Sequence, residues 1–217
     1  MKNKIKINLK DELIRLAILL VGLLIAHLGV SMFLLTELGA DPFNVMIAGI
    51  SSKLPISHGI THMIISILII IVLLFVDRSY IRIGTIACMF LGGPIIDMYN
   101  LVLAKLINGS LALWIRLVIV VIACAILAFG MTLVITSKAG TGPNDLVAVV
   151  LSDKIHKKFS IVRIIVDLIF FGIGALLGGT FGIGTLVCAF VVGLAAGLFM
   201  PFSRRIVSHF VKEPEAA

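Results

Sequence analysis

Two phrases in this chain set acidic and amide side chains beside a glycine and a proline: Leu38-Gly39-Ala40-Asp41-Pro42-Phe43-Asn44 and Ala139-Gly140-Thr141-Gly142-Pro143-Asn144-Asp145. Proline suits the first position of a helix, where a missing N–H costs nothing, and Asp41 or Gly142 just before it suits the N-cap. Asn44 and Asp145 then fall in the first turn, facing free N–H groups at the positive end of the helix. Gly39 and Gly140 let the backbone leave one helix and enter the next within a few residues. Helix ends of this kind can hold a polar ligand, so Gly39, Asp41, Pro42, Asn44, Gly140, Gly142, Pro143, Asn144 and Asp145 are candidate substrate-binding residues.

Arg163 and Asp167 complete the candidate set. They stand four apart, close enough on one helix face to pair. Asp167 lies in an apolar segment, where a carboxylate facing lipid costs at least about 2.5–3.5 kcal/mol, so it is expected to face inward. Two roles follow from the residues: a structural ion pair, or a carboxylate that titrates or meets a cationic group on a substrate.

The elements that position these residues follow from the solvent. Hydrophobic residues make up 60% of the chain and charged ones 13%, an excess that one water-soluble core cannot hide. Apolar stretches at 13–36, 59–76, 83–104, 113–136, 164–177 and 185–202 approach the roughly 20 residues that a helix needs to cross about 30 Å of hydrocarbon. The lipid bilayer is therefore the expected partner. Lys and Arg gather at the segment ends, where they report orientation rather than nucleic-acid binding. The basic N-terminus before the first apolar run lacks a small-x-small cleavage site, so that run is expected to stay as a span. Cys88, Cys124 and Cys188 all lie in apolar segments and read as small buried residues, neither a disulfide framework nor a metal site.

The two phrases belong to a longer repeat. Arg15 and Arg116, Gly29 and Gly130, Gly39 and Gly140, Pro42 and Pro143, Asn44 and Asp145, His62 and Arg163, Ser66 and Asp167, and Tyr80 and Phe181 all stand 101 apart; Gly84-Thr85 with Gly184-Thr185, and Cys88 with Cys188, then stand 100 apart. A colinear series that includes Arg, Pro and Asn/Asp is hard to obtain by chance. Each repeat, 1–108 and 109–217, holds three full spans and one short segment, at 42–54 and 143–155. A helix of about 13 residues reaches roughly 20 Å, short of the hydrocarbon thickness. If the short segments do not cross, an odd number of crossings inverts the second repeat relative to the first. The expected fold is thus an all-α membrane protein of six transmembrane helices in two inverted three-helix repeats, each with one short helix that is either re-entrant or interfacial. With Lys2, Lys4, Lys6 and Lys10 in the cytoplasm, six crossings put Arg78, Arg82, Lys138, Lys154, Lys157, Lys158, Arg204 and Arg205 inside with both termini, and leave Lys53 and Lys105 outside.

The doubled Gly-x-x-Pro-x-Asn/Asp phrase, the Arg at the start of each repeat and the Gly-Ile-Gly-Thr run at 182–185 together resemble the bacterial YczE/YyaS/YitT-type integral membrane proteins. The resemblance covers nearly the whole chain and implies a multi-pass protein of the bacterial cytoplasmic membrane, with little chemistry attached. The first phrase has Asp41-Pro42-Phe43-Asn44 where the second has Gly142-Pro143-Asn144-Asp145, so the two ends need not act alike.

Other polar residues read more plainly. Arg15 and Arg116 are expected to snorkel to headgroups, His27 to be a hydrogen-bonded structural residue, and Asp97 to cap a helix broken at Pro94. Trp114 and Tyr99 read as interface or packing residues. The glycine-rich run at 175–185 lacks the strand and the Gly-Lys-Ser/Thr ending of a phosphate loop, and so reads as a tight turn with close helix contact. No catalytic motif stands out, and neither an enzyme nor a resident cofactor or metal is expected. The function expected is a small-molecule transporter or exporter working by alternating access, its substrate unspecified and a homodimer compatible with it; a membrane scaffold or binding subunit of a larger complex is the alternative.

Overall fold

The computed structural model describes residues 9–54, 56 and 58–211, without the side chains of 58 and 59. Lys2, Lys4 and Lys6, on which the orientation partly rests, lie outside the described residues. The elements are α1 (Leu9–Leu35), α2 (Pro42–Ser51), α3 (His58–Asp77), a 3-10 turn (Arg78–Tyr80), α4 (Ile83–Leu103), α5 (Leu113–Ser137), α6 (Pro143–Ile155), α7 (Phe159–Leu176) and α8 (Ile183–Phe210). Among the described residues all regular structure is helical, and six helices are long and apolar enough to span a membrane. The chain is a multi-pass membrane protein.

α1 and α5 form the centre and run antiparallel. Their backbones meet across glycines: a Cβ on Gly22 would sit 2.9 Å from Gly130 O, one on Gly29 2.5 Å from Ala123 O, and one on Gly130 2.2 Å from Ala26 N. Lipid offers no hydrophobic force between helices, so close backbone approach through small residues supplies the packing energy. α4 packs on α1, with Leu19, Leu23 and Cys88 in one cluster. α8 packs on α5 through Cys124, Met131, Cys188 and Val192, with a Thr132–Ser203 hydroxyl contact of 2.8 Å. α7 lies on α2, where Gly174 meets the backbone of Val45 and Gly49, and α3 meets α6 through Leu73, Leu146 and Val150. The outward faces of α3 and α4 are apolar, with Phe75 88% exposed and Leu101 80% exposed, as a lipid-facing surface requires and a water-facing one would not tolerate.

Several expectations change in detail. α1, α7 and α8 extend past the apolar runs, α8 by eight residues to Phe210, because a helix continues through polar residues once it clears the hydrocarbon. α4 does not break at Pro94; it runs on to Leu103, so Asp97 caps nothing there. A proline inside a spanning helix is tolerated because the freed backbone group is satisfied locally. Arg15 and Arg116 do not simply snorkel. Arg15 donates to Ser137 O at 3.0 Å and Arg116 donates Nε–H to Thr36 O at 2.6 Å. Each arginine thus tethers the C-terminal carbonyls of the neighbouring antiparallel helix, where the macrodipole favours a cation.

Candidate functional site

The loops before α2 and α6 are built alike. Gly39 has φ +131° and Gly140 φ +134°, and each follows a left-handed residue two positions earlier, Glu37 at φ 55° and Lys138 at φ 59°. Only glycine takes the former angles without strain. Space is equally restrictive: a Cβ on Gly39 would lie 2.4 Å from Thr185 Oγ1, and one on Gly140 2.4 Å from Thr85 N. Gly184 N–H donates to Leu38 O and Gly84 N–H donates to Ala139 O, both at 2.9 Å. Thr185 adds a hydroxyl bond to Ala40 O at 2.8 Å. The start of α8 therefore clamps the first loop and the start of α4 clamps the second.

These clamps fix the two proline-led helix ends. Asp41 is the N-cap of α2, accepting from Asn44 N–H at 3.2 Å and from the Asn44 side-chain amide at 2.6 Å. Gly142 is the N-cap of α6 and has no side chain to cap with; Asp145 instead supplies the negative charge in the first turn. Both short helices are packed in protein, with Phe43, Val45, Met46 and Ile47 buried in α2 and Leu146, Ala148 and Val150 in α6.

Arg163 joins α7 to α6. The residue is 6% exposed, and its side chain donates Nε–H to Asp167 Oδ2 at 2.9 Å and a second N–H to Asp145 Oδ1 at 2.5 Å. Asp145 Oδ1 also accepts from the Asn144 amide at 3.0 Å. Asp167 is 1% exposed, and its Oδ1 has no hydrogen-bond partner among the described residues. The i,i+4 pair expected from sequence exists; its third member, eighteen residues upstream of Arg163, does not follow from helix spacing.

Both helix ends open on one cavity of about 620 Å³ between α1, α3, α4 and α5. Asp41, Asn44, Gly142, Pro143, Asn144, Asp145 and Arg163 line it, while Gly39, Pro42, Gly140 and Asp167 are not part of its lining. The cavity also draws on residues not singled out as site residues. His27 stands on its wall with Nδ1 2.8 Å from Leu23 O, and Phe43 packs edge-on against His62 at 5.4 Å between ring centroids. Ser66, 1% exposed, also faces it. The clue to His62 and Ser66 lay in the repeat, which sets them opposite Arg163 and Asp167. No group of three or more His, Cys, Asp and Glu with metal-binding geometry occurs among the described residues.

Similarity to other proteins runs over the same span as this architecture. The chain is 26% identical over 196 residues to the uncharacterized protein YyaS of Bacillus subtilis, covering 89% of this chain and 94% of that one. It is 25% identical over 213 residues to the uncharacterized membrane protein YczE of the same organism, covering 96% of each. An uncharacterized protein of Haemophilus influenzae is 26% identical over 191 residues, covering 88% of this chain and 85% of the relative. No solved structure matches the chain. The YczE/YyaS resemblance holds, and since the family pattern extends over residues 13–201, from α1 into α8, the chain belongs to the family of unknown function DUF6198.

Proposed function

We propose that this protein is a small-molecule carrier of the bacterial cytoplasmic membrane, in which repeats 1–108 and 109–217 are inverted and rock about the shared cavity. The observation that carries this reading is the reciprocity of the contacts between halves. Arg15 reaches Ser137 O while Arg116 reaches Thr36 O, and Gly84 reaches Ala139 O while Gly184 reaches Leu38 O. Exchanging the halves maps each contact onto the other, as a two-fold axis in the membrane plane would, and α1 and α5, the first helices of the repeats, run antiparallel. Carriers with inverted repeats bind solute where discontinuous or short helices end near the midplane, and here both proline-led ends line one cavity. Burial of α2 and α6 on several sides supports re-entrant rather than surface-lying helices.

Orientation follows from charge. Arg82 donates to Lys138 O at 2.7 Å and Tyr80 to Asp153 at 2.9 Å, so the basic residues of the α3–α4 and α5–α6 connections share an end with Arg15. That end is assigned to the cytoplasm, with both termini. Lys53→Cys and Lys154→Cys, each in a background with Cys88, Cys124 and Cys188 replaced by Ala, test inversion: Lys53→Cys reacts with an impermeant maleimide from outside intact cells and Lys154→Cys only after permeabilisation. Labelling of both from one side removes the reading. Transport itself is checked by counterflow in proteoliposomes across a panel of labelled amines, acids and neutral metabolites. At least one solute exchanges above protein-free vesicles; none doing so counts against a carrier.

A further inference from the structure

We propose that the central cavity takes an organic monocation, an ammonium group on an apolar body, as the solute of the carrier reading on which this inference rests. A helix N-terminus ordinarily invites an anion. Here both ends are answered from within the chain, that of α2 by the Asp41 cap and that of α6 by Asp145. An anionic solute would meet carboxylates where it needed N–H groups.

The charges around the cavity decide the sign. Two carboxylates, Asp41 and Asp145, line the cavity with one guanidinium, Arg163, and a third carboxylate, Asp167, stands next to them outside the lining; Arg163 is already held by Asp145 and Asp167. Each helix N-terminus is worth about half a positive charge, so the two ends and Arg163 together leave roughly one negative charge without an answer. Asp41 is the carboxylate on the cavity wall that Arg163 does not hold. It accepts two bonds, both from Asn44, and an ionised carboxylate has room for about four donors.

Ser66 is an independent pointer. The residue is 1% exposed and lines the cavity from α3, and its hydroxyl makes no hydrogen bond among the described residues. A buried hydroxyl without a partner costs free energy, and an ammonium N–H entering the cavity would supply that partner. The remaining wall suits the body of such a solute: Leu23, Val30, Phe43, Leu127 and Met131 are apolar. A hard divalent ion fits less well, because it wants six or more oxygens converging on one point and no such group of side chains occurs among the described residues.

The test uses the full chain purified in detergent and three probes of one shape: 2-phenylethylammonium, 2-phenylethanol and 3-phenylpropionate. The ammonium raises the unfolding temperature saturably, and the alcohol and the acid do not. Asp41→Asn keeps the helix cap but weakens the ammonium's apparent affinity by about tenfold or more, and Ser66→Ala weakens it about threefold to tenfold. A shift of equal size with the alcohol or the acid, no saturable shift with the ammonium, or unchanged affinity in Asp41→Asn each overturns the inference. Counterflow of labelled 2-phenylethylammonium separates it from the carrier reading. Binding without flux keeps the cation site and removes the carrier; flux of some other solute without ammonium binding does the reverse.

Discussion

Replacing Arg163 with Met should lower the stability of the protein in detergent by about 3–5 kcal/mol, the cost of leaving buried carboxylates without their cation. Arg163 is 6% exposed and Asp167 1% exposed, and the guanidinium bridges Asp167 on its own helix to Asp145 on α6. Without it, Asp167 keeps no partner among the described residues, since its Oδ1 already lacks one. The α6–α7 connection loses its ionic tie in the same step. Exchanging the whole cluster, Arg163→Met with Asp145→Asn and Asp167→Asn, should recover most of the loss, because deleting a buried ionic group entirely is often near neutral while breaking it is not. Denaturant unfolding followed by helical ellipticity checks both variants. A single variant as stable as the parent would mean that water reaches this cluster and solvates it.

The second large effect lies at the α1–α5 seam. Gly29→Val and Gly130→Val should each cost more than the roughly 1–3 kcal/mol of ordinary overpacking, because the atoms that a Cβ would strike are backbone. At Gly29 these are Ala123 O at 2.5 Å and Leu127 N at 2.6 Å; at Gly130, Ala26 N at 2.2 Å. Backbone in a packed helix cannot rotate aside as a side chain can, so the two helices must separate and every contact along the seam weakens. Gly172→Ala is the control. Nothing lies within 4 Å of its Cβ position, and alanine gains up to about 1 kcal/mol over glycine in a helix interior. Thermal unfolding of the three variants should show two large losses and one neutral or slightly positive change; a loss at Gly172 equal to that at Gly29 would mean that helix propensity, not contact, governs these positions.

Both effects concern contacts between separate segments of the chain, and that is where reading the sequence stops. The membrane environment, the six spans and the two proline-led short helices are legible in the chain, because hydropathy, proline and N-cap chemistry act over a few neighbouring residues. α6 starts at Pro143 and ends at Ile155, as the residues imply, and Asp41 caps α2 through Asn44 N–H. The Arg163–Asp167 pair is equally local, four residues apart on one helix. Reading Asp97 as a cap at a broken Pro94 applies a rule for helices in water to one in which α4 continues past the proline.

What the sequence by itself determined was the local part: which segments are helical, which lie in lipid, and which glycines and prolines recur at a fixed offset. What only the tertiary structure decided is which partner each polar group takes. Asp145 meets Arg163, Arg15 meets the end of α5 and Arg116 the end of α1, and Asp41, Asp145 and Ser66 come to one cavity. The reason is physical. Helix formation and partition into lipid sum over adjacent residues, whereas these pairings depend on the depth and angle at which helices cross, set by backbone contact at Gly22, Gly29 and Gly130 between segments about a hundred residues apart.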